Sequence, residues 1–170
     1  GWLDIKDASP MPASAQIVSR LLVSMAFSVM ILISLGLVAF TMTSVSLSIA
    51  QVLTLSTLLV FGGLPFCLLG LILGLLLKAE SAPAVVNLVY LPMSFLSGLW
   101  IPITMLPDFL QTLAEFLPPF HLSRLALKVV ELDVGGSIAK HLAMLALFTV
   151  IFFVLAMLVS NKKTIRLIFP

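Results

Sequence analysis

Apolar residues run almost unbroken through four stretches of this chain, about 17–42, 49–77, 84–103 and 138–159, each long enough to cross a bilayer as a helix. The second is longer than ~30 Å of hydrocarbon requires, so it is expected to tilt, or to kink at Pro65. Between the third and fourth stretches the pattern changes. From Pro107 to Leu117 the apolar residues Phe109, Leu110, Leu113, Phe116 and Leu117 fall at helical spacing, while Asp108, Gln111, Thr112 and Glu115 take the other face. Pro118 and Pro119 end that piece. Beyond them His121, Arg124, Lys128 and Glu131 recur every three or four residues opposite Leu122, Leu125, Ala126, Val129 and Val130. This spacing predicts a second amphipathic helix with a solvated polar face. At about eleven residues and ~1.5 Å per residue, each piece reaches about half of the hydrocarbon thickness, so neither crosses it. The expected fold is an all-α integral membrane protein. It has four transmembrane helices, a polar entrance over 1–16, and a pair of short re-entrant or amphipathic helices over 107–131 before the last span.

Composition agrees: of 170 residues 61% are hydrophobic and 9% charged, with a mean hydropathy of +1.26, far from the ~25% charged residues of a soluble domain. The net charge of +2 carries no nucleic-acid signal; the placement of the charges matters more. Lys6, Arg20, Lys78, Lys162, Lys163 and Arg166 lie at the two ends or in the second loop, which four spans put on one side. On the other side Asp108, Glu115, Glu131 and Asp133 offset Arg124, Lys128 and Lys140, and the loop TSVSLS has no charge. The positive-inside rule therefore predicts cytoplasmic termini in a cell membrane and an outward-facing helix pair. The chain begins at Gly1 with no signal-peptide pattern before its first span, as expected of part of a longer protein.

Motifs for chemistry are absent: GxxxxGK[ST], HExxH, CxxC and GxSxG do not occur. His121 and His141 stand apart with no second ligand pattern, so no metal site is expected; His121 is assigned to the solvated helix face and His141 to anchoring a helix end with Lys140. Cys67 is single, which excludes an internal disulfide and leaves it as a small packing residue. No charge lies near a bilayer centre, which argues against an ion-coupled carrier. Two polar stripes remain, Gln51, Thr54 and Thr57, and Asn87, Tyr90, Ser94 and Ser97. Their hydroxyls and amides either bond back to their own helix and join helices, or line a substrate path. Gly63, Cys67, Gly70 and Gly74 share a face, and Gly70 to Gly74 is a GxxxG that permits close helix approach.

The run LSGLWIPITMLPDFLQTLAEFLPPFHLSRLAL closely resembles the late region of ABC-2 type transporter permeases. In that family a helix ending in a small residue, an aromatic and a proline leads into two short re-entrant helices broken by a proline pair. Gly98, Trp100, Pro102, Pro107, Pro118 and Pro119 stand in those places. The start GWLDIKDASPMP is similar to the family's coupling segment, so the resemblance assigns Trp2, Leu3, Asp4, Ile5, Lys6, Asp7 and Pro10 to docking on an ATPase. It implies an exporter in which two permease chains face each other. ATP and magnesium are held by separate ATP-binding subunits, and no cofactor is bound by this chain. Family permeases have six spans, and this chain supplies the last four. The alternatives are a passive channel or membrane scaffold, or a membrane enzyme acting on lipid-linked substrates through Asp108, Glu115, His121 or Arg124.

Overall fold

The computed structural model describes residues 13–42, 46–132 and 135–168. The assigned coupling residues Trp2, Leu3, Asp4, Ile5, Lys6, Asp7 and Pro10 lie outside them. Among the described residues every regular element is helical: α1 (Ala13–Met42), α2 (Ile49–Gly62), α3 (Leu64–Leu76), α4 (Ala82–Phe95), a single 3-10 turn (Ile103–Met105), α5 (Asp108–Ala114), α6 (Pro118–Val129) and α7 (Ile138–Ile168).

Among the described residues three helical stretches are long and apolar enough to cross a membrane: Ser14–Met42, Ile49–Leu76 and Ile138–Asn161. The second contains α2 and α3, and its break falls at Gly63, just ahead of Pro65. Proline has no N–H to continue a ladder but suits the first turn of a new helix, and Pro65 sits there in α3. Upstream, Ser48 and Gln51 form a capping box that fixes the start of α2.

The third apolar run departs from expectation. The helix anticipated over 84–103 stops at Phe95, and Gly98, at φ +82°, turns the chain in a conformation other residues rarely adopt. At ~1.5 Å per residue α4 is about 21 Å long, shorter than ~30 Å of hydrocarbon. The three long helices are therefore joined by a shorter one. The proline pair both ends the α5 region and occupies the first turn of α6.

Ile17 of α1, Leu68 and Ile72 of α3 and Ala156 of α7 form one buried cluster, packed around by Leu21, Leu71, Phe152, Phe153 and Met157. Most other large apolar side chains of α1, such as Leu22, Phe27, Met30 and Ile33, are exposed, as suits a helix whose solvent is lipid. Among the described residues no helix packs on the GxxxG face at Gly74. The face of α3 turned to the core carries Leu68 and Ile72, while no atom comes within 4 Å of a Cβ built on Gly74, and Gly70 faces the Tyr90 hydroxyl.

A second cluster holds the short elements together: Ile103, Ala114 and Phe120, backed by Leu96 and Leu106. Leu122 lies where a Cβ on Gly62 would stand, and Gln51 Nε2 donates to Glu131 Oε1 at 3.3 Å. These two contacts lay α6 antiparallel along α2, and the first meets the apolar stretch Ile49–Leu76 at its midpoint.

Candidate functional site

A groove of about 770 Å³ runs between α2 and α7, open along one side. Leu53, Leu58, Phe61, Leu64, Leu142, Leu145, Ala146 and Val150 make it apolar, and Thr54, Thr57 and Thr149 give it three hydroxyls. Thr149 already bonds the Leu145 carbonyl of its own helix at 2.7 Å, so the surface this wall presents is mostly methyl and methylene. Thr57 also borders a second groove, of about 580 Å³, between α1 and α2. Apolar walls with a few hydroxyls suit a molecule with a substantial hydrocarbon part.

The other candidate residues take separate places. Gln51 is held by the capping box and by Glu131. Asn87 is exposed on α4, and Tyr90 donates to the Phe66 carbonyl at 2.6 Å, joining α4 to α3. Ser94 bonds Leu91 O and Ser97 bonds Ser94 O, each a local contact. The structure thus places Thr54 and Thr57 on the groove and the α4 stripe elsewhere. Of the turn residues, Trp100 is exposed and packs on Phe95 at 5.6 Å between ring centroids, and Pro118 is buried. Pro102 and Pro107 are exposed and precede the 3-10 turn and α5, and Pro119 is half-buried. The apolar face of α5 points outward through Phe109, Leu113 and Phe116.

At one end of the groove, where Leu142 begins its α7 wall, stands a polar cap absent from the sequence reading. His121 is 0% and His141 3% exposed, and their Nδ1 atoms are 2.8 Å apart. This corrects the assignment of His121, with Arg124, to a solvated face: both are buried. His121 Nε2–H donates to the Glu115 carbonyl at 2.9 Å, which leaves His121 Nδ1 as a bare acceptor and makes His141 Nδ1–H the donor. Among the described residues His141 Nε2 is then a buried lone pair without a hydrogen-bond partner, beneath Gly136, whose φ of +84° brings backbone close to the ring. Phe120 stacks edge-on against both imidazoles, and the Arg124 guanidinium lies 5.0 Å from the centre of the same ring.

Further bonds complete the cap. Ser123 donates to the Ser97 and Phe120 carbonyls, and Lys140 pairs with Glu115 at 2.9 Å, both half exposed. Burial pushes the His121 imidazole below its usual value, opposed in part by its bond to Glu115 O. The hydrogen bond from Lys140 holds the Glu115 carboxyl below the usual range. Among the described residues no group of three or more His, Cys, Asp or Glu could hold a metal ion. The signal for this cap was faint: a histidine just after a proline pair, and another inside the first turn of an apolar helix.

Comparisons with known proteins agree with the architecture. A family model described as ABC-2 family transporter protein matches residues 7–158. The chain is 25% identical over 164 residues to a Bacillus subtilis protein named "Putative transport permease YvfS", covering 96% of this chain and 66% of that one. It is also 35% identical over 72 residues to "Nodulation protein J" of Sinorhizobium fredii, covering 42% of this chain and 28% of that protein. The chain thus spans somewhat less than two thirds of the first relative and under a third of the second. No solved structure matches it. With nearly its whole length inside the family match, and with three long apolar helices, this multi-pass membrane chain belongs to the ABC-2 family of transporter proteins.

Proposed function

We propose that this chain is the C-terminal part of the permease subunit of an ATP-driven exporter, with the α2–α7 groove as one wall of its substrate path. The family match across residues 7–158 carries the reading. The groove supports it by offering an apolar surface at the level of the spans, with Thr54 and Thr57 among its few polar groups. In this reading a second permease chain faces the first, and ATP and magnesium act on a separate ATP-binding subunit. Gly1 to Pro12 docks on that subunit, with Trp2, Leu3 and Ile5 as an apolar knob and Asp4, Lys6 and Asp7 at its rim. The four-span topology puts both ends on the cytoplasmic side of the cell membrane, and α5 and α6 on the outer side. The shortness of α4 supports a re-entrant α6.

Co-purification of the full-length permease with its ATP-binding subunit in mild detergent tests this. The subunit should be retained by the native protein and lost when Trp2, Leu3 and Ile5 are all changed to alanine. If no such subunit is retained by either form, the channel or scaffold reading replaces this one.

A further inference from the structure

The His121–His141 contact has one property that follows from its geometry alone. Two imidazoles whose Nδ1 atoms are 2.8 Å apart share a single proton between those atoms. We propose that this pair is a proton-operated latch between α6 and α7, closed when both rings are neutral and opened when the pair takes up protons.

Uptake can occur at two atoms. The first is His141 Nε2, which becomes an N–H with no acceptor among the described residues, in a buried position under Gly136. The second is His121 Nδ1, which sets two N–H donors head to head across the contact. Both leave a donor unsatisfied inside the protein, and both disfavour the closed arrangement.

The surrounding charges act in the same direction. Arg124 and Lys128 on α6 and Lys140, next to His141 on α7, are positive. On the α5 side stands Glu115, whose carboxylate is already engaged by Lys140. Phe120 and Phe148 supply ring surface, which does not stabilise an added charge as water does. The Glu115 carbonyl is already used by His121 Nε2–H.

The latch sits where it can matter. His141 adjoins Leu142, which lines the groove, and Leu122, next to His121, packs against Gly62 on the opposite wall. Parting α6 from α7 therefore uncovers that end of the groove. The consequence for transport rests on the permease reading above, but the latch itself does not, and the test addresses the latch directly.

The full-length permease, labelled with 15N-histidine in lipid nanodiscs, is titrated from about pH 8 to about pH 5, across the ordinary histidine range. At the upper end His121 should show the Nε2-protonated tautomer and His141 the Nδ1-protonated one. On acidification the two rings should titrate together, as one coupled pair. Hydrogen exchange of the α6 amides, corrected for its intrinsic pH dependence, should rise about tenfold over the same range, and in His141→Phe this rise should vanish. Independent titration of the two histidines at ordinary values overturns the proposal, as does α6 exchange that is flat in the native protein. If His141→Phe does not insert, the native titration and exchange decide alone, whatever the outcome of the ATPase co-purification.

Discussion

Hydroxyls within the long helices and polar groups around α6 solve the same problem in opposite ways. In α1, Ser28 bonds Ser24 O, Ser34 bonds Met30 O and Thr41 bonds Leu37 O, and in α7 Thr149 bonds Leu145 O. Each stays within one turn. Around α6 the partners are distant in the chain: Ser123 to Ser97 O, His121 to His141, Glu115 to Lys140, and Gln51 to Glu131. Local bonding satisfies a polar group in lipid without specifying any neighbour, so those helix faces stay free to pack on lipid or another chain. Long-range bonding fixes which elements meet. The register of the short helices is set by polar contacts together with the cluster of Ile103, Ala114 and Phe120, and that of the spans by a small apolar cluster, with the Tyr90 hydroxyl joining α4 to α3.

The largest effect should come from His121→Leu, which strands His141 Nδ1–H and the Glu115 carbonyl together. A loss of about 3 kcal/mol is expected, one buried and one part-buried group left unsatisfied at ~1–3 kcal/mol each being partly relieved by relaxation. Thermal unfolding in detergent reads it, and a change below ~0.5 kcal/mol, the size of an ordinary surface substitution, would make the cap incidental. Acid should reproduce part of this loss. The His121 pKa is depressed in the folded protein, so below about pH 6.5 the unfolded chain takes up protons more readily than the folded one. Its contribution is complete above that pH and declines as pH falls toward the folded value. Glu115, also depressed, has the same sign in the carboxylate range. The histidine part of the melting-temperature slope should disappear in His121→Leu.

Leu68→Ala should cost about 2 kcal/mol, at the low end of the range for buried leucines, because lipid rather than water receives the side chain and only packing is lost. A loss above ~4 kcal/mol would mean that water reaches this face on unfolding. Thr149→Val should change stability by less than ~0.5 kcal/mol, since its hydroxyl serves its own helix. A larger loss would show that the groove wall depends on a hydroxyl partner, and the contrast between the two regions would fail there.

The sequence announced the helices well because their signals are local. Continuous apolar runs marked α1, α2 with α3, and α7; the three-to-four residue period marked α5 and α6; and the proline pair marked where one gives way to the other. The early end of α4 was hidden because Leu96, Leu99 and Ile101 continue its apolar run through a turn made by Gly98. The histidine pair was hidden for a different reason. A polar stripe opposite an apolar one reads as a water-facing surface, but beside a membrane either face can be the covered one. His121 and Arg124 lie inward while Phe109 and Phe116 of the neighbouring helix face out. Nothing in spacing alone reports that inversion, nor a partner twenty residues away.

The break at Gly63 gives the molecule two mechanical parts. Below it α3 is clamped to α7 through Leu68 and Ala156; above it α2 is tied to α6 at Gly62 and Gln51. Pro65 removes a rung of the helical ladder at the joint, and a side chain at position 63 would crowd the Leu59 carbonyl at 3.0 Å. Bending there, once the His121–His141 contact has parted, swings the upper segment together with its short partner while the base stays still. The width of the groove then becomes an angle at a single residue, adjustable without sliding any helix along another.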